Sequence, residues 1–360
     1  MLINKKKLEK ELIALTGKLI SFETVTDNKK EIEKCFNFIK KQLKNFFIKE
    51  YIFNGKKSIA ISLAKKKKKF NIILIGHLDV VPAEKKDFKP RTKSGKIYGR
   101  GSADMKAGVA ISILILKNLR PKNVLLLLTS DEEIGGHNGT NYLAKKYKGD
   151  FVLSPEAGKG GITTKEKGVI WLKIKAKGKA NHASTPWLGS NAIEKLISTY
   201  QEIKKMFPEI KAKDSFEKKW QKTINLGMIK GGSSAFNKIP DEAEAGIDIR
   251  YSEKSNPDKI IKIIKRVAKK NNCSVQIIEK EPMLLTKENR YLKLLKKISG
   301  IKEKSEFGSS DVRYFSNKGI SAVDFSVTGG NWHAEDEYVN IKSMLKIYKV
   351  IEKFIQTLTN

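Results

Sequence analysis

The sequence predicts an α/β protein: one domain with a mostly parallel sheet, interrupted by a smaller inserted domain of βαββαβ order. Two observations predict it. Before residue 160, short unbroken apolar runs such as NVLLLLT (123–129) and DFVLS (150–154) alternate with longer stretches of helical length. An unbroken apolar run suits a parallel strand covered on both faces, and its alternation with helices is the α/β pattern. From about residue 168 the pattern changes to apolar–polar alternation, as in WLKIKAKG, which marks strands with one face exposed. With 360 residues, 40% of them hydrophobic, the chain can fill one large core or two moderate ones.

In order, residues 1–50 predict two helices. In the first, Leu8, Leu12, Ile13, Leu15 and Leu19 fall at helical spacing; the second is KKEIEKCFNFIKKQLKNF. Strands follow at 58–64 and 70–76, and the lysine block 65–69 between them reads as a solvated hairpin turn. Residues 106–120 have the pattern of a buried helix stopped by Pro121, although pattern alone does not exclude a strand. A strand at 123–129, a helix at 138–147 and a strand at 150–154 complete this half.

The inserted segment reads as a strand through WLKIKAKG and a helix through NAIEKLISTYQEIKKM with Asn191 as its cap. Strands TINLGMIKG and AEAGIDIRY come next. Then come a helix with Pro257 near its start and a strand SVQIIEK. This is the split βαβ order of a small two-layer domain. After Pro282, a helix (ENRYLKLLKKISG), a strand (SAVDFSV) and a last helix (KSMLKIYKVIEKFIQTL) return to the first domain. The expected boundaries are 1–167 with 282–360 for the first domain and 168–281 for the insertion.

Composition excludes several classes. No apolar run reaches the length of a membrane span. The basic start lacks the continuous apolar core and cleavage site of a secretory signal, so a cytoplasmic protein is expected. Two distant cysteines, Cys35 and Cys273, do not make a disulfide framework. The formal net charge of +33 invites a nucleic-acid reading, but only seven of the 72 basic residues are Arg. Nucleic-acid sites favour Arg for bidentate and stacked contacts, and here Lys is spread along the whole chain. Nucleic acid is therefore not the expected partner; the field would instead draw in small anions such as carboxylates.

Five places carry acidic or histidine residues just after strand-like runs, where α/β sheets put their sites. They are His77 and Asp79 in GHLDVVP, Asp104 in GRGSADMKAG, Glu132 and Glu133 in TSDEEIGG, Glu156 in SPEAG, and His333 in NWHAEDEYV. Asp79, two residues from His77, is placed to take the histidine's second nitrogen. Gly101 and Gly108 would let the backbone bend closely around an ion. Of the adjacent pair Glu132 and Glu133, one can hold metal while the other handles a proton. Singly, each acidic residue reads as a helix cap or a solvated loop residue. Jointly, the chain has only four histidines and two stand in such loops. A donor set of nitrogen and oxygen suits two Zn²⁺ ions, with Co²⁺ or Mn²⁺ as alternatives, and not a thiolate site. His137, after the glutamate pair, reads as a solvated or capping histidine. Trp171 and Trp187 read as packing residues, and Trp332 as a candidate for the pocket wall. Residues 158–161 (GKGG) lack the partners of a phosphate loop.

Taken in order, GHLDVVP, GRGSADMKAG, TSDEEIGG, SPEAG, GKANHASTPWLGSNAI and HAEDEYV resemble the M20 family of metallohydrolases over essentially the whole chain. The resemblance implies a zinc-exopeptidase-like catalytic domain with an inserted ferredoxin-like lid and dimerisation domain. It implies that Asp104 bridges two ions, that His77 and Glu156 complete one site, and that Glu133 and His333 complete the other. Asp79 would orient His77, and Glu132 would be general base and then general acid. His182 would reach across a homodimer to the neighbouring site. Asn237 and Arg250, from SAFNKIPDEAEAGIDIR, would bind substrate polar groups, and Ser309 and Ser310, from GSSDVRYF, the substrate carboxylate or acyl group. The implied activity is removal of an N-acyl group from an amino acid, with succinyl-diaminopimelate as first choice and N-acetylornithine or another N-acyl amino acid next. Cleavage of a dipeptide or a carboxyl-terminal residue is a further alternative. Glu156-Ala157-Gly158 stands where many members of this branch have Glu-Pro-Thr, and GSSDVRYF departs from their usual Thr-Ser-Asp-Gly-Arg-Phe; both departures bear on acyl specificity.

Overall fold

Four consecutive leucines, Leu125 to Leu128, mark the middle of the larger sheet. All six residues of their strand, Val124–Thr129, are buried. Leu126 and Leu128 point into one core, and Leu125 and Leu127 into the core on the opposite face. That double coverage is why the run shows no alternation. Each such leucine removed from water stabilises the fold by roughly 1.5–3 kcal/mol.

The computed structural model describes residues 4–359. Its contacts divide the chain into two units. The first runs up to Lys165 and includes Leu284–Glu306 and the chain from Ser310 on; the second is Glu166–Met283 with Phe307–Ser309.

In the first unit, Lys69–His77 pairs in parallel with Val124–Thr129 on one side and Lys148–Ser154 on the other, and Lys148–Ser154 pairs in parallel with Ser321–Gly330. This parallel centre belongs to a 12-stranded mixed sheet. Antiparallel strands extend it: Phe47–Phe53 and Lys56–Ser62 at one edge, and Tyr338–Asn340, Lys96–Tyr98 and Arg91–Lys93 toward the other.

The strands Lys56–Ser62 and Lys69–His77 are not neighbours. Both pair with Val124–Thr129, one antiparallel and one parallel. The lysine-rich segment 65–69 therefore crosses over the end of a strand instead of making a hairpin turn. Sequence adjacency favours the hairpin; the apolar run at 123–129 takes the central place because it can be covered on both faces.

The ambiguous segment after residue 106 is helical, Ala107–Leu119, with every residue from Ala107 to Leu116 buried. Arg120 ends it in the left-handed region, ahead of Pro121. Against it pack the amphipathic helices Lys5–Ile20 and Ile341–Thr359. Lys5–Ile20 is capped by the Asn4 side chain and buries Leu8, Leu12, Leu15 and Leu19; the first three residues of the predicted helix lie outside the described ones. The helix expected at 138–147 is only Thr140–Leu143. Cys35 and Cys273 are free and buried, and burial pushes the Cys35 thiol up to about 12, which leaves it unreactive. Among the described residues no helix is long and apolar enough to cross a membrane.

The second unit is an antiparallel four-stranded sheet in the order Thr223–Gly231, Glu242–Tyr251, Gly168–Lys177, Cys273–Glu281. The helices Ala192–Lys204 and Pro257–Lys270 pack on it. Ile170, Leu172, Ile174 and Ala176 alternate inward toward them. The Asn191 side chain accepts from Ile193 N and Glu194 N, and Pro257 sits in the first turn of its helix. Phe307 packs with Phe216 and Trp220.

Candidate active site

Parallel strands expose their carboxyl ends on one side of a sheet, and four of these ends supply the candidate residues. Lys69–His77 ends on His77 and turns through Asp79. Val124–Thr129 leads to Glu132 and Glu133. Lys148–Ser154 leads to Glu156, and Ser321–Gly330 to His333. Asp104 enters from the loop before the buried helix. Gly101 in that loop has φ +76, and a Cβ there would meet the Val80 side chain at 2.6 Å. Gly108 is used differently from the expectation: it lies inside the helix, where a Cβ would meet the Pro155 carbonyl oxygen at 2.0 Å, so it admits backbone and not an ion.

The predicted ligand side chains of this unit converge, with Glu132 beside them. His77 Nε2 lies 3.1 Å from Asp104 Oδ1, 3.7 Å from Glu156 Oε1 and 4.0 Å from Glu132 Oε2. His333 Nε2 lies 3.3 Å from Asp104 Oδ2 and 3.2 Å from Glu133 Oε2. Asp104 thus presents one oxygen to each histidine. Ligand bonds of about 2.1 Å place the corners of a tetrahedral site about 3.4 Å apart. The histidine–carboxylate spacings on both sides of Asp104 lie near that value, and His77, Asp104 and Glu133, which a two-ion arrangement divides between the ions, themselves offer donor atoms within 4.8 Å of one another. The residues therefore fit divalent metal; in a two-ion arrangement His77, Asp104 and Glu156 would hold one ion and His333, Asp104 and Glu133 the other.

Asp79 acts through more of its atoms than its spacing implies. His77 Nδ1 meets the Asp79 backbone oxygen at 2.9 Å, while the Asp79 carboxylate is farther, at 3.5 Å. That carboxylate accepts from the backbone N–H of Glu132 and of Glu133, each at 3.2 Å, and from the Thr26 hydroxyl. One buried aspartate thus ties the histidine turn to the glutamate loop.

The electrostatics follow from crowding in a dry site. Burial raises the Glu132 carboxyl well above its ordinary value, with Asp311, Glu156 and Asp104 adding to the rise. Burial likewise pushes Glu156 up to about 7 against the opposing pull of His77. Burial would lower His77, but the carboxylates of Asp104, Asp79 and Glu156 outweigh it and hold the imidazole well above its usual range. His333 is pushed up to about 10 by Asp104 and Glu133. Burial works to raise Asp104, yet His333 and His77 hold it well below the carboxylate range.

A model of peptidase family M20/M25/M40 matches residues 73–357. The chain belongs to this family. It is accordingly a hydrolase of amide bonds. A probable succinyl-diaminopimelate desuccinylase of Staphylococcus aureus (strain N315) is 29% identical over 398 residues, spanning 96% of this chain and 97% of that protein. A succinyl-diaminopimelate desuccinylase of Helicobacter pylori (strain HPAG1) is 28% identical over 385 residues, with 97% and 99% covered. Among solved structures, a tripeptidase from Staphylococcus aureus superposes with TM-score 0.78 at 20% identity over 98% of both chains. An M20 family metallo-carboxypeptidase from Sulfolobus solfataricus gives TM-score 0.76 at 21% identity, covering 96% of this chain and 98% of that one. At these identities the solved structures speak for the fold.

The remaining residues to which the family resemblance gave roles are distributed as follows. Ser310 is buried and donates to Asp324 Oδ2 at 2.7 Å. His182, Asn237, Arg250 and Ser309 belong to the second unit. His182 is exposed, its Nδ1 2.6 Å from Ser184 Oγ, on a loop held to its neighbour by Ala183 N donating to Asn237 O. Arg250 donates through Nε and Nη2 to the Asp248 carboxylate. Trp187, read as a packing residue, is 76% exposed, and Trp171 is 44% exposed with Nε1 donating to Asp248; short loops and an open sheet face leave these rings outside the core. Trp332 is partly buried against the first core. His137 is half-buried, its Nδ1 3.3 Å from the Tyr314 hydroxyl, instead of solvated.

Two groups escape the sequence reading. Arg313 Nη2 and the Tyr314 hydroxyl both donate to Gly135 O, just past the glutamate pair. Glu337 accepts three backbone N–H groups from the Asp104 loop. Both stand inside quoted motifs, GSSDVRYF and HAEDEYV, but no spacing rule signals a carboxylate or guanidinium that acts on backbone far away in sequence.

Proposed function

We propose that this chain is a two-metal amidohydrolase that removes the succinyl group from N-succinyl-diaminopimelate in the cytoplasm. The observation that carries it is the convergence of His77, Asp104, Glu133, Glu156 and His333 at ligand spacing, with the Glu132 carboxylate beside them. The choice of acyl group is supported by full-length relatives named for that activity.

Bound Zn²⁺ or Co²⁺ ions would supply Lewis acidity to the substrate carbonyl and lower the pKa of the attacking water. The Glu132 carboxylate, beside the ligand cluster, suits a group that must take a proton and give it back. It accepts the proton of the water as the oxygen adds to the amide carbon, then delivers that proton to the departing nitrogen as the C–N bond breaks. The products are a carboxylate and a free amine. Asp79 keeps Glu132 and Glu133 in place through their backbone N–H groups. In this reading the second unit is the dimerisation lid. His182, exposed on its loop, stabilises the oxyanion in the partner's site, and Asn237, Arg250, Ser309 and Ser310 hold the polar ends of the substrate.

The test is a hydrolysis panel with the Zn- or Co-loaded protein: N-succinyl-diaminopimelate, N-acetylornithine, N-acetyl-methionine and several dipeptides. The succinyl compound should give the highest kcat/KM. A clear preference for a dipeptide or an acetyl compound would move the enzyme to another branch of the family.

A further inference from the structure

Glu337 is 2% exposed, and both of its oxygens are engaged by donors. Oε1 accepts from Ala103 N at 3.0 Å and Asp104 N at 3.1 Å; Oε2 accepts from Gly101 N at 3.0 Å and Arg100 Nη1 at 2.9 Å. Backbone N–H groups from one short loop thus close around a single carboxylate, as they do around an anion. The same loop carries Asp104. Arg100 makes a second link: its Nη2 donates to Ala334 O at 3.1 Å, in the residue after His333. The turn it holds has left-handed backbone at Asn331, His333 and Asp336 (φ +57, +59 and +53), a conformation uncommon outside glycine but tolerated best by these residue types.

We propose that Glu337, with Arg100 as its partner, is the positioning residue of the second ion's site. The pair locks the Asp104 loop to the His333 turn, so that Asp104 Oδ2 and His333 Nε2 stand 3.3 Å apart before an ion arrives. This rests on the two-metal reading above. Glu337 itself is no ligand, because both oxygens are occupied by donors. An ionised carboxylate accepts through both oxygens, whereas a glutamine must turn an N–H₂ toward one side. In Glu337→Gln, either orientation of the amide would face donor to donor: against Gly101 N and Arg100 on one side, or against Ala103 N and Asp104 N on the other.

The test is a Co²⁺ titration of Glu337→Gln followed by visible absorption and chelator competition, with thermal melting and steady-state kinetics alongside. The first equivalent should weaken less than the second, because His77 and Glu156 hold it apart from the His333 turn while Asp104 is shared. The second should bind about 10- to 100-fold more weakly, the usual loss when a ligand's support is removed, with an altered Co²⁺ spectrum. At limiting metal, kcat should fall with KM unchanged, and Glu337→Asp should recover part of the second-site affinity. A Glu337→Gln protein that melts lower yet binds both ions with wild-type affinity and spectrum has lost only structural support, and the proposal fails. If Glu337→Gln does not fold, Arg100→Lys is the second variant: it keeps a cation beside Glu337 but gives up the fork that also reaches Ala334. Wild-type second-ion affinity there overturns the proposal equally. A wild-type chain that takes up one ion only overturns the two-metal reading, and the proposal with it. Two tight ions in the wild type and the same two in the variants overturn the proposal alone.

Discussion

Gly108 and Pro155 meet backbone to backbone: a Cβ on Gly108 would lie 2.0 Å from the Pro155 carbonyl oxygen. The buried helix Ala107–Leu119 can therefore run directly beneath the loop that carries Glu156. Backbone has no rotamer with which to yield, so Gly108→Ala must move the helix or the loop. We expect a loss of about 1–3 kcal/mol, typical of overpacking, measured by urea unfolding, together with weaker metal binding through the displaced Glu156. Unchanged stability would show that the contact is looser than its geometry.

Glu132→Gln tests the proton-transfer role. The side chain keeps its size and its backbone N–H still donates to Asp79, so ion content should be unaltered by elemental analysis. Turnover should fall by about 10²–10⁴-fold, the range for a removed general base. A variant with near-normal kcat would remove Glu132 from the chemistry.

Loading the site should release protons. In the metal-free cluster His333 is held at about 10 and His77 well above its usual value by the carboxylates around them, so both are imidazolium at pH 7. A ligating imidazole must be neutral. Metal uptake therefore expels these protons, together with the fraction that Glu156 holds near its value of about 7, and apparent affinity falls as pH falls, by roughly tenfold per pH unit for each proton displaced. Calorimetry in buffers of different ionisation enthalpy reads the number directly. Uptake without proton release would contradict the assignment of the histidines as ligands.

The proposed role of His182 in a partner's site is tested by mixing two defective proteins. His182→Ala and Glu132→Gln should each be severely slowed yet folded. Exchanging subunits between them creates one site with wild-type Glu132 and wild-type His182 together, so activity should reappear on mixing. If His182 serves its own subunit, mixing restores nothing.

Much of the architecture is legible because burial on two faces leaves a distinct trace. The leucines at 125–128 have to lie inside a sheet, and the strict alternation after residue 168 has to leave one face open. The lysine segment 65–69 reads as a hairpin turn because sequence carries no record of which strand slides between two others. The pattern overextends the one-turn helix Thr140–Leu143 because helical periodicity continues past the point where packing stops supporting it.

The chain's residues alone determined the chemistry on offer: two histidines and several carboxylates in short loops after apolar runs, a donor set suited to hard or borderline divalent cations. Only the tertiary structure decided how those donors are shared. Asp104 turns one oxygen to His77 and the other to His333, and Glu337 holds the Asp104 loop through its backbone N–H groups. Both arrangements join segments that lie far apart in the chain. Side-chain type is local information, whereas coordination spacing is set by the registry of four parallel strands and the loops they launch.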